Sequence, residues 1–82
     1  MNITVLTPDK EIFNGEITSV KVPGTGGEFQ VLKNHATIVS SLSKGKVAIT
    51  KADGGKVNFS IEKGFIEVLR NEVSLLVQGV TE

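Results

Sequence analysis

Apolar and polar residues alternate along much of this chain, and this period of two constrains its fold more than any other feature. The clearest stretches are Val47 and Ile49, then Val57, Phe59 and Ile61, and finally Val73, Leu75 and Val77. Successive side chains of a strand point to opposite faces, so the pattern places one set in a core and the other in water. No stretch combines a helical period with caps. The sequence therefore predicts an all-β fold.

Turn-forming residues divide the alternating stretches. Asn14-Gly15 is a strong two-residue hairpin signal, because both central residues of such a turn must tolerate positive φ. Further turns are predicted at residues 7–10, 24–27, 53–55 and 70–72. We therefore expect a single-domain sandwich or flattened barrel over residues 1–82, with about ten short, mostly antiparallel strands. The strands that can be placed lie near residues 3–7, 10–13, 16–22, 28–32, 37–41, 45–51, 56–61, 64–70 and 72–78.

Two irregularities interrupt the alternation. Ile17 is at an odd position, whereas Val20 and Val22 are at even positions, and this slip predicts a β-bulge or a strand that changes sheets. A second group of apolar residues has no obvious inward phase, and its members are Leu6, Leu32, Phe65 and Leu76. These residues either form exposed docking patches or complete the second face of the core, and the sequence favours neither interpretation.

The composition argues against several classes of function. The 82 residues include nine basic and nine acidic side chains, so the chain lacks the basic excess of a nucleic-acid-binding protein. It has no cysteine for a disulfide or a thiolate metal site. The N-terminus lacks the features of a signal peptide, and the run Leu75-Leu76-Val77 is far too short to span a bilayer. We therefore expect a cytoplasmic protein that binds no nucleic acid and does not itself insert into the membrane.

Two stretches carry residue types that could hold an anion or take part in catalysis. Residues 24–27 (GTGG) resemble a phosphate-binding loop, but such loops precede a helix N-terminus, whereas Glu28 begins an acidic strand. A plain turn is the better interpretation. His35 is the only histidine, and it lacks a recognisable nucleophile motif or enough further ligands for zinc. We predict no catalytic residue, metal ligand or cofactor site, and a structural or interface role for His35.

Lys51 raises a different possibility. The stretch Ile49-Thr50-Lys51-Ala52 is similar to the lysine turn of lipoyl or biotinyl carrier domains, which are also small and all-β. A carrier lysine sits at a hairpin tip, whereas the predicted tip here is Asp53-Gly54-Gly55. A small ligand-binding β-sandwich is another alternative, although the chain has no Trp or Tyr on which a sugar could stack. The residues alone indicate a soluble all-β interaction module.

Residues 20–36, VKVPGTGGEFQVLKNHA, resemble the signature of the epsilon subunit of F-type ATP synthases. In that family a strand leads to a glycine turn, a Gly-Glu-aliphatic-Gly-aliphatic stretch and a loop that ends in His-Ala-Pro. Residues 5–8, 12–15, 42–49 and 63–68 also resemble the family in order and spacing. Departures from the family pattern are Gln30, Lys33-Asn34 and Thr37, which replace a Gly, a Pro-Gly and a Pro.

The resemblance implies a non-catalytic subunit in the rotor, or central stalk, of a proton-translocating ATP synthase. Family members form a β-sandwich that packs on the gamma subunit and touches polar loops of the membrane-embedded c-ring. They help to couple proton flow to ATP synthesis. The resemblance also implies a peripheral location within the synthase, on the cytoplasmic face of the bacterial membrane, and a monomer when the subunit is isolated.

The resemblance assigns partner-facing residues by matching positions. The residues on the c-ring side are Glu28, Phe29, Gln30 and Val31. The residues near the gamma subunit are Thr7, His35 and Ser40.

The last residue of the sequence bears on regulation. Family members commonly continue into a helical hairpin, which can restrain ATP hydrolysis and in some members binds ATP. This sequence stops at Glu82. We therefore expect the protein alone neither to bind ATP nor to inhibit hydrolysis.

Overall fold

A computed structural model describes all 82 residues, and its regular structure consists of strands. The strands are β1 (Asn2–Leu6), β2 (Glu11–Gly24), β3 (Gly27–Leu32), β4 (Ile38–Leu42), β5 (Gly45–Lys51), β6 (Lys56–Ile61), β7 (Lys63–Leu69) and β8 (Glu72–Gln78). The all-β prediction is confirmed, with eight strands in place of about ten.

The difference in number arises at Asn14-Gly15, where the predicted hairpin is wrong. β2 runs straight through this pair, because Asn14 lies opposite Thr4 of β1 and Gly15 lies opposite Ile3. Neither residue has the positive φ that a two-residue hairpin turn requires. The chain reverses instead at residues 7–10, so the predicted strands 10–13 and 16–22 form one long strand. Pairing with β1 overrides the local turn preference.

The strands form two layers around the core. The first layer has the order β1-β8-β7-β4, and the second contains β3, the second half of β2, β5 and β6. Neighbouring strands are antiparallel, except that β1 runs parallel to β8. The first half of β2 pairs with β1, whereas its second half pairs with β3 and β5. β2 therefore belongs to both layers, and the predicted sandwich is confirmed.

β2 passes from one layer to the other just before Thr18, because Glu16 still pairs with Asn2 of β1 whereas Ile17 already pairs with Lys51 of β5. Its pairing with β5 skips one residue between Ile17 and Ser19, so Thr18 is an extra residue in the strand. This bulge shifts the inward phase, and as a result Ile17, Val20 and Val22 are all buried. The predicted irregularity is thus both a bulge and a change of sheet.

Sixteen apolar side chains form the core, and no polar side chain is buried with them. The core residues are Ile3, Val5, Ile17, Val20, Val22, Val31, Leu42, Val47, Ile49, Phe59, Ile61, Ile66, Val68, Val73, Leu75 and Val77. Each large aliphatic side chain removed from water contributes roughly 1.5–3 kcal/mol. Both layers supply core residues, which explains why the alternation extends along nearly every strand.

Four of the predicted turns are hairpins. They join β1 to β2, β2 to β3, β5 to β6 and β7 to β8. The last turn consists of Arg70 and Asn71, whose φ values are 50° and 63°. Two successive residues with positive φ are typical of a type I′ turn, whose twist matches that of the flanking strands.

Candidate partner-binding surfaces

The outer side of the first layer carries a row of exposed apolar side chains. Leu76 of β8 lies opposite Leu6 of β1 and opposite Phe65 of β7. Phe65 is 54% exposed, Leu76 is 50% exposed, and Val39 of β4, which lines a separate hollow together with both of them, is 66% exposed. We call the surface formed by Leu6, Val39, Phe65 and Leu76 the apolar face. It borders a shallow groove of ≈ 420 Å³ between Thr7 and Phe65.

The apolar face exists because β7 and β8 each contain two adjacent apolar residues, one of which points outward. Ile66 and Leu75 point into the core, while their chain neighbours Phe65 and Leu76 point outward. The sequence left open whether these outward residues complete the core, and the structure leaves about half of each side chain in water. A surface of this kind is typical of a site for another protein, since isolated monomers rarely expose large apolar patches.

The outer side of the second layer is polar by contrast. Lys21, Lys46 and Lys56 are exposed there. The ladder aligns Gln30, Lys21, Ala48 and Asn58 across β3, β2, β5 and β6, with no large apolar side chain among them. The two layers thus present different surfaces.

The residues predicted to face the c-ring lie on β3, at the edge of the second layer. Glu28 and Gln30 are exposed, and Phe29 is partly buried. Val31 needs a correction, because its side chain is fully buried in the core. Alternation along β3 turns Phe29 and Val31 toward the core and leaves Glu28 and Gln30 on the surface.

The residues predicted to lie near the gamma subunit are on three separate segments and share no hydrogen bond. Thr7 borders the groove beside the apolar face. Its hydroxyl oxygen accepts hydrogen bonds from the N–H groups of Asp9 and Lys10, at 3.3 and 3.2 Å, and so forms the turn that precedes β2. Ser40 lies on β4, where its hydroxyl donates to the carbonyl of Ser41 at 3.2 Å.

His35 lies in the loop between β3 and β4. Its backbone N–H donates to the carbonyl of Leu32 at 3.1 Å, which closes a turn through Lys33 and Asn34. Its ring Nδ1 lies 2.7 Å from the carbonyl oxygen of Ala36. A carbonyl only accepts, so Nδ1 carries the proton and Nε2 is the free ring nitrogen.

Sequence reasoning missed Val39 as a surface residue. Its neighbour Ile38 packs against the core, so two adjacent apolar residues on β4 point to opposite sides. Adjacent apolar residues in a short strand are the signal that could have found it, as in Phe65-Ile66 and Leu75-Leu76.

The two other sequence motifs occupy turns. Residues 24–27 form the end of the β2–β3 hairpin and lead into a strand. Lys51 ends β5, and its N–H donates to the carbonyl of Gly55 at 2.8 Å at the base of the next turn, so it lies before the hairpin tip. No three or more His, Asp and Glu side chains are grouped in a way that could hold a metal ion. The structure contains no helix with the length and hydrophobicity needed to cross a bilayer.

The fold and the apolar face together define a small β-sandwich of the protein-interaction class. Residues 1–82 match the family described as ATP synthase, Delta/Epsilon chain, beta-sandwich domain, and the chain belongs to this family. It is 42% identical over 79 residues to the ATP synthase epsilon chain of Chlorobium limicola, covering 96% of this chain and 90% of the relative. It is 40% identical over 78 residues to that of Protochlamydia amoebophila, where it covers 95% of this chain and 53% of the relative.

Two solved structures share the fold. One is the Euglena gracilis mitochondrial ATP synthase, OSCP/F1/c-ring in rotational state 1, with a TM-score of 0.88 and 23% identity, over 96% of this chain and 51% of the matched chain. The other is the Tetrahymena thermophila mitochondrial ATP synthase central stalk/c-ring, with a TM-score of 0.82 and 18% identity, over 100% of this chain and 66% of the matched chain. The sandwich is therefore conserved in shape where little sequence identity remains.

Proposed function

We propose that the chain is a non-catalytic rotor subunit of a proton-translocating F-type ATP synthase, in which it links the gamma subunit to the c-ring. Family membership and the names of the relatives support this role. The structural observation that carries the gamma contact is the apolar face. The proposed location of the chain is peripheral, on the cytoplasmic face of the membrane, where its partners in the synthase hold it.

The apolar face is the contact proposed for the gamma subunit. A stable interface hides about 800 Å² on each partner, which is about a sixth of the 4867 Å² surface of this chain. The half-exposed Phe65 and Leu76 supply the apolar centre that such interfaces need. Thr7, at the border of the groove, falls within the same contact.

The c-ring contact is proposed for the opposite layer. Glu28 and Gln30 project from β3, which belongs to the second layer, whereas Phe65 and Leu76 belong to the first. Exposed carboxylate and amide groups can bind polar loops, because hydrogen bonds between the two surfaces replace the hydrogen bonds that each surface makes to water. Surfaces on different layers allow both partners to bind at once, as a link between two parts of a rotor requires.

Co-expression with the gamma subunit of the same organism tests the proposal. The wild-type chain is expected to form a stable one-to-one complex. Phe65→Ser should weaken the complex at least tenfold, because it removes the only aromatic side chain of the apolar face. Leu32→Ser is the matched control, since Leu32 is 52% exposed against 54% for Phe65 but lies on the other layer.

The outcome separates the possibilities clearly. If Phe65→Ser and Leu32→Ser bind the gamma subunit with equal affinity, the apolar face is not the gamma contact. A wild-type chain that does not associate, with both partners folded, would remove the rotor role itself.

A further inference from the structure

Asn71 joins three segments that are distant in the sequence. Its side-chain Oδ1 accepts a hydrogen bond from the backbone N–H of Asn34 at 2.7 Å, and its Nδ2 donates to Oδ1 of Asn34 at 3.1 Å. Its backbone carbonyl accepts from the N–H of Asn2 at 2.9 Å. The β7–β8 turn is thereby tied both to the β3–β4 loop and to the start of β1.

The β3–β4 loop, residues 33–37, has no other hydrogen bond to a distant part of the chain. The remaining bonds of this loop, from His35, reach only Leu32 and Ala36. Most of the loop is exposed and contributes nothing to the core. Loops with few buried contacts open at low free energy, so the Asn34–Asn71 pair is the contact that sets the position of this one.

The backbone at Asn34 also depends on this pair. Its φ is 66°, a left-handed conformation that is uncommon outside glycine. Asn71 has the same kind of conformation at φ 63°. Asparagine adopts this conformation more readily than most residues other than glycine, and the paired amides tie the two turns to each other.

We propose that Asn71 is a positioning residue for the partner-binding loop. It holds residues 33–37 in one conformation, so that His35 presents Nε2, which has no partner within the chain, to a polar group of the gamma subunit. A loop held before contact spares the complex the entropy of ordering it during binding. This inference rests on the proposed rotor function and on the position near the gamma subunit that the family resemblance implies for His35.

Asn71→Gly is the discriminating variant. Glycine accepts the positive φ of the type I′ turn, so the hairpin stays while both side-chain bonds to Asn34 disappear. Arg70→Gly is the matched control: it places the same residue at the neighbouring turn position, where φ is 50° and the side chain makes no hydrogen bond. Both variants should melt within a few degrees of each other.

The measurements are hydrogen exchange at the Asn34 amide and the dissociation constant for the gamma subunit. Asn71→Gly should speed exchange at Asn34 and weaken gamma binding about fivefold to tenfold, the loss expected when a few ordered side chains must be fixed on binding. Arg70→Gly should change neither. In a His35→Ala background the further loss caused by Asn71→Gly should shrink, because the two residues act through one contact.

Three results would overturn the proposal. If Asn71→Gly binds the gamma subunit as tightly as Arg70→Gly does, the loop does not need the Asn34–Asn71 hydrogen bonds for binding. An unchanged loss in the His35→Ala background would show that Asn71 acts elsewhere. If the wild-type chain does not bind the gamma subunit, both the proposed rotor function and this inference are wrong. If only the role of Asn71 is wrong, Phe65→Ser still weakens gamma binding.

Discussion

Gly64 of β7 lies against the backbone carbonyl oxygen of Leu76 in β8, with no room between them for a Cβ atom. A methyl group there would also approach Cγ1 of Val77 at 3.2 Å. Backbone cannot move aside as a flexible side chain can. We expect Gly64→Ala to lower the free energy of unfolding by about 2 kcal/mol, within the range of overpacking, as measured by urea denaturation.

Gly26→Ala is the control for this variant. A Cβ at Gly26 meets no atom within 4 Å, so the change should stay within about 0.5 kcal/mol. Equal losses at the two glycines would contradict the steric explanation, because the reduced entropy of the unfolded chain favours alanine at both positions.

Leu75 and Leu76 are adjacent in β8 but should respond very differently to truncation. Leu75 is fully buried, and Leu76 is half exposed on the apolar face. Leu75→Ala leaves a cavity and should cost about 2–5 kcal/mol, a large part of the total stability of a small domain. Leu76→Ala should cost under about 1 kcal/mol and should instead weaken gamma binding. Thermal denaturation and a gamma titration of both variants test this contrast, which a similar stability loss in the two would contradict.

We expect that Thr18 can be substituted by another residue but cannot be deleted. Its hydroxyl makes only a 3.4 Å bond to the carbonyl of Thr50, so Thr18→Ala should change stability by less than about 1 kcal/mol. Deletion of Thr18 brings Ile17 and Val20 two positions apart, so they still share one face, but it removes the bulge that bends and twists β2 where the strand leaves β1 for β5. The deletion variant is expected not to fold, and circular dichroism and the dispersion of amide NMR signals measure this. A native-like spectrum from it would show that β2 can change layer without the extra residue.

Glu28 should matter for the c-ring and not for the fold. It is exposed and forms no ion pair, since the only ion pair is between the Met1 amino group and Glu16. Glu28→Gln should weaken binding to detergent-solubilised c-ring several-fold and reduce the salt dependence of binding, because it removes one exposed charge. Stability and gamma affinity should not change.

Glu11→Gln is the matched control for Glu28→Gln. Glu11 is also an exposed carboxylate, but it lies on the half of β2 that pairs with β1. An equal effect of the two variants on c-ring affinity would indicate a general charge effect and would count against a contact at Glu28.

The local pattern predicted the core well, because burial on a strand depends on alternation that the sequence displays directly. It failed at Asn14-Gly15, where turn chemistry is local but pairing with β1 is not. The family resemblance, and not the local pattern, assigned Val31 to a contact, whereas the alternation of β3 turns it inward. The Asn34–Asn71 pair had no signal at all, since 37 residues separate its members and amide pairing follows no period.

The passage of β2 through both layers has a mechanical consequence. In most sandwiches two sheets are held by side-chain packing across the core, and loops connect them at their ends. Here a single covalent strand crosses from one layer to the other between Glu16 and Ile17, paired with β1 before the crossing and with β5 and then β3 after it. A force applied to the apolar face and opposed at β3 is therefore transmitted through the backbone of β2. Sliding of the layers would require breaking ladder hydrogen bonds on both sides of the crossing, which makes the sandwich stiff against shear.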